Sequence, residues 1–341
     1  MREIDFELGP IRPPSEARSL LVRVSRNCPW NRCAFCSVYK ESEGYSRRTV
    51  DEILADLDAM KRVHGNGPRT AFLQDADPLL MKPDDMVAVL EGLLERFPDV
   101  ERVTTYARSK TLARRSMEDL RRIREAGLDR VHVGLESGCD AVLDLVSKGA
   151  TREEQITAGL RAREAGFELS EYVMPGLGGR DLSAEHADDT ASAIAAISPD
   201  YVRLRTTAVI PGTPLADLET QGRWSAPGEI ETVVEIRRFL AGLAGVETRL
   251  ESDHALNLLM DLRGDLPADH GSLLALCDGV IDLSAEDRIL FVLGRRAGRL
   301  RRAADLDDPG TREWLERARD TLLGDGTDPE ALFLELRRRW V

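Results

Sequence analysis

A chain of 341 residues is long enough to bury a large core, and could hold one barrel-sized domain of about 200–250 residues beside a smaller one. Its 42% hydrophobic and 31% charged residues are those of an ordinary globular protein, and no apolar run approaches the ~18 residues of a membrane span. With 60 acidic against 47 basic residues, the net charge of −13 argues against a large nucleic-acid footprint and an anionic membrane surface, which favours a small-molecule partner. Met1-Arg2-Glu3-Ile4-Asp5 does not open a signal peptide. The chain is therefore expected in the cytoplasm, a reducing compartment that also suits metal-bound thiolates.

In chain order, residues 1–19 are polar, carry Pro10, Pro13 and Pro14, and read as an extended lead-in. Leu20 to Val24 is a short buried strand. A loop with Cys28, Cys33 and Cys36 follows and continues from Tyr39 to Arg48. Thr49 caps a helix whose stripe is Ile53, Leu54, Leu57 and Met60, and Gly65-Asn66-Gly67-Pro68 stops it. Thr70 to Gln74 is a strand ending in Asp75-Ala76-Asp77, and a helix from Pro83 to Phe97 comes next. The alternation repeats: strand Arg102 to Arg108, helix Ser116 to Ala126, strand Arg130 to Leu135, helices over 140–147 and 151–165, strand Glu168 to Val173, helix Ala184 to Ile197 and strand Tyr201 to Val209. Each strand-then-helix unit has roughly the 25–35 residues of a right-handed crossover between parallel strands. Six such units make an α/β fold, either an open barrel or a doubly wound sheet, and in both the loops at the carboxyl ends of the strands face one crevice.

Beyond about Gly245 the pattern turns helical. Ser252 or Asp253 is a plausible cap, and Asp253, His254 and Asn257 recur at near-helical spacing, so they could share a face directed at the crevice. His254 could move a proton near neutral pH. Helices are expected over about 270–281, 284–304, 311–323 and 328–340, with Arg295 to Arg302 a solvated basic face.

The nine residues Cys28-Pro29-Trp30-Asn31-Arg32-Cys33-Ala34-Phe35-Cys36 hold three of the five cysteines. Three thiolates from one loop supply three irons of a [4Fe–4S] cluster and leave the fourth open for chemistry. A disulfide framework is disfavoured because Cys139 and Cys277 lie far away in a long chain. A zinc site would want a fourth Cys or His, and the nearest His, His64, could reach back only through the fold. Unconnected buried thiols explain three cysteines at this spacing poorly.

This loop resembles the cluster loop of the radical S-adenosylmethionine (SAM) superfamily, with a first gap one residue longer than its commonest form. Gly134-Leu135-Glu136-Ser137-Gly138 with Lys148 after it, and Pro211-Gly212-Thr213-Pro214, are similar to segments of oxygen-independent coproporphyrinogen dehydrogenases, methylthiotransferases and the Elongator catalytic subunit. The resemblance covers about residues 18–245. It implies a partial (β/α)6 TIM-like barrel over 18–245; the sequence pattern adds a lead-in at 1–17 and a mainly helical region at 246–341, expected to cover the open barrel mouth. It further implies an enzyme with a [4Fe–4S] cluster on Cys28, Cys33 and Cys36, with SAM, a small-molecule substrate and an electron donor such as flavodoxin or ferredoxin.

Residue by residue, the resemblance places Phe35 beside the adenine, Lys148 at the SAM carboxylate and Glu136 at the ribose. Asp75 and Asp77 stand where the superfamily has a glycine-rich turn for the SAM amino group. Gly176, Gly178 and Gly179 would permit close approach to a ligand, with Arg180 next to them. Cys139 is a candidate hydrogen-atom donor or a small apolar filler, and His254 a candidate at the substrate. A non-catalytic haem or iron–sulfur carrier, and a zinc-binding structural protein, are the other readings.

Overall fold

The computed structural model describes residues 6–40, 44–324 and 326–338. Residues 1–5 of the lead-in, residues 41–43 of the loop continuation, residue 325 and the last residues of the helix expected over 328–340 lie outside the described residues.

The strands are β1 (Leu20–Arg23), β2 (Ser25–Arg26), β3 (Ser46–Arg47), β4 (Thr70–Gln74), β5 (Arg102–Ala107), β6 (Leu128–Glu136), β7 (Glu168–Val173), β8 (Tyr201–Leu204), β9 (Arg249–Glu251) and β10 (Gly264–Asp265). Between them run α1 (Val50–His64), α2 (Pro83–Arg96), α3 (Ser109–Arg114), α4 (Met117–Glu125), α5 (Asp140–Leu145), α6 (Arg152–Glu164), α7 (Ser183–Ile197), α8 (Pro214–Thr220) and α9 (Glu229–Ala241). After β10 come α10 (Leu266–Ile281), α11 (Ala285–Arg296), α12 (Pro309–Leu323) and α13 (Pro329–Arg338). The α/β class and the helical C-terminal region are as expected. Two compact units divide the chain: Met1–Leu135 with Ser147–Tyr172, and Glu136–Val146 with Val173–Val341.

In the first unit the strand order is β1-β4-β5-β6-β7. Leu20 pairs in parallel with Ala71, Thr70 with Arg102, and Tyr106 with His132. The strands are buried along nearly their whole length, as expected of a parallel sheet covered on both faces. Thr49 and Thr151 begin α1 and α6 with full capping boxes to Glu52 and Glu154. The stripe Ile53, Leu57 and Met60 of α1 is wholly buried, as are Met86, Val89, Leu90 and Leu93 of the neighbouring α2, each stabilising by about 1.5–3 kcal/mol. Phe72, Tyr106, His132 and Tyr172 meet edge-on or tilted in a row across four strands, with neighbouring centroids 5.0, 6.0 and 5.9 Å apart. The lead-in is not wholly extended: a single 3-10 turn, Pro14–Glu16, buries Glu16 against Ser19 Oγ with His132 Nε2 at 3.6 Å.

In the second unit β8 and β9 are parallel while β9 and β10 are antiparallel. Neither β9 nor β10 was expected, because two or three residues show no period. The strand expected to reach Val209 stops at Leu204. Asn257 Oδ1 accepts from the Thr206 N–H at 2.8 Å and its hydroxyl at 3.0 Å, while Asn257 Nδ2 donates to Leu204 O at 2.8 Å. These bonds replace a strand partner. The same residue explains why no helix starts at Ser252: Ser252 Oγ donates to Leu259 O, Asp253 pairs with Arg203 at 3.0 Å, and the segment is stitched flat to β8. The helix expected to run to residue 304 ends at Arg296, where Gly298 at φ 68° closes it. Arg295 and Arg296 are not a solvated face either; Arg296 is buried on Glu229 at 2.6 Å, and Arg337 joins the same carboxylate at 3.1 Å.

Because Asn257 satisfies groups at Leu204, Ser252 and Thr206 that have no access to water, Asn257→Ala is expected to cost about 2–3 kcal/mol. Urea denaturation checks this; a loss below half a kilocalorie would mean the bracket is not structural.

Candidate functional site

Four stretches of the first unit meet around the cysteine loop. The Trp30 indole N–H donates to Ser147 O at 2.8 Å, and the ring fills the space where a Cβ on Gly149 would stand, 2.4 Å from Trp30 Cζ2. Arg32 and Arg108 lie over the same ring with guanidinium carbons 5.1 and 5.4 Å from its centre, a cation–π pairing that holds it in place. Gly149 has φ +74° and its carbonyl accepts from Lys110 Nζ at 3.2 Å. Lys148 is thereby tied to the loop, and its Nζ stands 5.8 Å from the centre of Phe35. Sequence reasoning singled out Lys148 and Phe35 but not Trp30, whose only signal is an aromatic residue between two cysteines.

Asp75 and Asp77 are both fully buried at the end of β4. Arg23 Nε donates to Asp75 at 2.7 Å, and burial, opposed by Arg23 and Tyr39, raises the carboxyl above its usual range. Burial likewise pushes Asp77 up to about 6, opposed by the Thr111 hydroxyl at 2.5 Å and the Arg108 N–H at 3.2 Å. With both oxygens occupied, Asp77 anchors the turn after β5; its geometry assigns it to the fold. Tyr39 is buried beside Asp75, Cys28 and Cys36, and burial followed by these acidic neighbours pushes its phenol upward.

Cys28, Cys33 and Cys36 are half-exposed and in no disulfide, whereas Cys139 and Cys277 are buried. The Asn31 N–H points at Cys28 Sγ at 3.4 Å, and the Cys36 N–H donates to Cys33 O at 3.3 Å, which winds the loop. Among the described residues no three His, Cys, Asp or Glu side chains gather tightly enough for a single metal ion. A [4Fe–4S] cluster takes each thiolate on a different iron, so a short loop of spread thiols suits it in donor type and number.

The remaining candidates lie in the second unit. Glu136 ends β6 at φ 63°, a left-handed conformation that a non-glycine residue keeps only when its surroundings enforce it. Cys139 sits at the N-cap of α5 with its thiol raised by burial. On the side where a side chain would stand, the three glycines face protein: a Cβ on Gly178 would meet Leu182 O at 2.9 Å, one on Gly179 the Trp224 indole at 2.8 Å, and one on Gly176 the Pro227 ring at 3.1 Å. Arg180 forms an exposed pair with Glu231 at 2.9 Å. His254 Nδ1 accepts from the Leu256 N–H at 3.2 Å, and burial, then Arg205, lowers its pKa to about 4. The ring is neutral at pH 7 and is no proton carrier there.

Two outcomes are expected. Gly149→Ala, which meets both the φ constraint and the Trp30 ring, should destabilise by about 1–3 kcal/mol, and by less in a Trp30→Ala background; additive losses in a denaturation cycle would separate the two residues. Between pH 6.5 and about 4 the unfolded chain protonates His254 and the folded chain does not, so its contribution to stability falls as pH falls through that window. His254→Gln should flatten that limb of the stability profile, and an unchanged profile would refute the assignment.

A model of the radical SAM superfamily matches residues 22–191. The chain is 24% identical over 230 residues to an uncharacterized methyltransferase of Pyrococcus horikoshii, covering 64% of this chain and 47% of that protein. It is 26% identical over 212 residues to the tRNA-2-methylthio-N(6)-dimethylallyladenosine synthase of Prosthecochloris aestuarii, covering 61% and 46%. It thus spans less than half the length of these curated relatives. In fold it resembles the cobalamin-dependent S-adenosylmethionine radical enzyme OxsB, solved with aqua-cobalamin and S-adenosylmethionine bound. The TM-score is 0.54 at 16% identity, over 96% of this chain and 58% of that one. Among the described residues no helix is long and apolar enough to cross a membrane. The family uses a [4Fe–4S] cluster and SAM, and with the cysteine loop inside the matched stretch, this chain belongs to the radical SAM superfamily.

Proposed function

We propose that the chain is an enzyme that cleaves SAM reductively and uses the resulting radical on a small-molecule substrate. The observation that carries this reading is the Lys148 cation, from a distant stretch of sequence, standing over the Phe35 ring of the loop that carries three half-exposed thiols. Cys28, Cys33 and Cys36 would hold the cluster and leave one iron open. When bound, the cluster supplies one electron to the sulfonium of SAM, releasing methionine and a 5′-deoxyadenosyl radical that takes a hydrogen atom from the substrate.

Lys148 would pair with the SAM carboxylate as a point cation and Phe35 would lie along the adenine. Glu136 would take the ribose hydroxyls. Asp75, already sharing its charge with Arg23, is the remaining carboxylate for the SAM ammonium. Cys139 stays a thiol and so keeps a hydrogen atom to give. An electron donor such as flavodoxin or ferredoxin would supply the electron, in the cytoplasm. The net charge of −13 argues against carrying over the tRNA named for one relative.

Anaerobic reconstitution with iron and sulfide tests the reading. A full [4Fe–4S] complement and 5′-deoxyadenosine on reduction with SAM are expected. Cys33→Ala should lose the cluster; Lys148→Ala should keep it and bind SAM roughly tenfold more weakly. A cluster without SAM cleavage would favour a carrier, and retained zinc without iron a structural zinc protein.

A further inference from the structure

The turn after β6 is held from behind by buried polar groups that the roles above leave unused. Ser137 is wholly buried with its Oγ 2.8 Å from His186 Nδ1, and the Cys139 N–H donates to the same Oγ at 3.0 Å. Thr190, one turn along α7 from His186, accepts from the Gly138 N–H at 2.9 Å. On the other side of the ring, His186 Nε2 lies 3.0 Å from Met174 O and 3.6 Å from Glu235 Oε1. Glu235, on α9, accepts from the Gly176 N–H at 2.6 Å and from the Ser183 hydroxyl.

A carbonyl oxygen only accepts, so Nε2 carries a ring proton towards Met174 O, and Nδ1 is the atom that pairs with the Ser137 hydroxyl. Serine, histidine and carboxylate in a row form the grouping of a nucleophile relay, yet the carboxylate here faces Nε2 and the hydroxyl has no access to solvent. The relay cannot attack a substrate. What it does is brace two backbone turns, Glu136–Cys139 and Met174–Gly176, which the Met174 N–H also joins by donating to Glu136 O at 3.0 Å. Glu136 at φ 63° is the residue whose conformation most needs such a brace, and Gly138 permits it, since a Cβ there would stand 2.4 Å from Asp189 O.

We propose that His186 and Glu235 are positioning residues for SAM: through Ser137 and the Met174 turn they hold the Glu136 carboxylate in the attitude that takes the ribose hydroxyls. The assignment rests on the SAM-binding reading of this chain. Neither residue touches the cofactor; both act through the backbone they brace.

SAM affinity of the reconstituted protein, measured by calorimetry without reductant so that no cleavage occurs, is the test. His186→Leu should weaken SAM binding by about tenfold or more while iron content stays that of the parent. His186→Asn, whose side-chain amide can still pair with the Ser137 hydroxyl, should recover affinity to within about threefold. Should His186→Leu not fold, Ser137→Ala, which removes only the hydroxyl, carries the same tenfold expectation. A cluster-loaded His186→Leu or Ser137→Ala protein with parental affinity would overturn the assignment, as would equal losses in the Leu and Asn variants, which would mark a packing role. Absence of SAM binding by the parent protein would instead bring down the functional reading, and this inference with it.

Discussion

A parallel strand has to hand its chain to a helix within a few residues, and the way it turns decides which side chains face the ligand end. In this protein the turns are made under constraint. Asn27 and Asn31 beside the first cysteine, Asp75 after β4, Glu136 at the end of β6 and Ser147 before Lys148 all hold positive φ without being glycine. Each such residue costs of order 1–3 kcal/mol and persists only where its surroundings enforce it. Five of the six non-glycine residues with this geometry among the described residues fall on segments that the sequence marks for the cofactors. A fold selected only for stability would place glycine at these positions, as it does at Gly127 and Gly166 after the helices away from the site.

The constraint is met locally in each unit, and by different chemistry. In the first, a large ring does the work: Trp30 lies on Gly149, donates to Ser147 and is flanked by Arg32 and Arg108, so a cation and two backbone turns are fixed by one side chain. In the second, small buried polar groups do it, with Ser137, Thr190, His186 and Glu235 each satisfying a backbone amide, a carbonyl or one another. The first solution tolerates solvent because stacking and cation–π contacts survive partial exposure. The second needs burial, since a histidine bonded between a hydroxyl and a carbonyl beside a carboxylate keeps its order only where water is excluded.

Much of the first unit was legible because its signals are local. Thr49 with Glu52 and Thr151 with Glu154 announce helices within four residues, and the stripe Ile53, Leu57, Met60 announces which face is buried. The cysteine loop and Lys148 were legible as a motif. What escaped was set by partners far along the chain. The end of β8 at Leu204 depends on Asn257, the fate of Ser252 to Asn257 depends on β8, and the burial of Arg296 depends on Glu229 and Arg337. Gly176, Gly178 and Gly179 announce close approach in sequence, but only the fold says that Pro227, α7 and Trp224 stand on the side where their side chains would be. His186 and Glu235 carry no sequence signal at all, since a histidine and a glutamate on amphipathic helices usually face solvent.

The five cysteines make the final point about how environment sorts one residue type into several chemistries. Cys277 is wholly buried, with burial the first cause of a thiol pushed up to about 12, and Cys139 is raised in the same way. Burial disfavours the thiolate at both, and a metal ligand has to be one. The loop proposed to hold the cluster has no fourth cysteine, so its donor set would be one short of closing a four-iron group. A site built to be merely structural closes its coordination, as zinc sites of four protein ligands do. On the proposed reading, three half-exposed thiols in one loop, with the other two cysteines buried, are the donor set of a chain that would keep one coordination position for a ligand of its own.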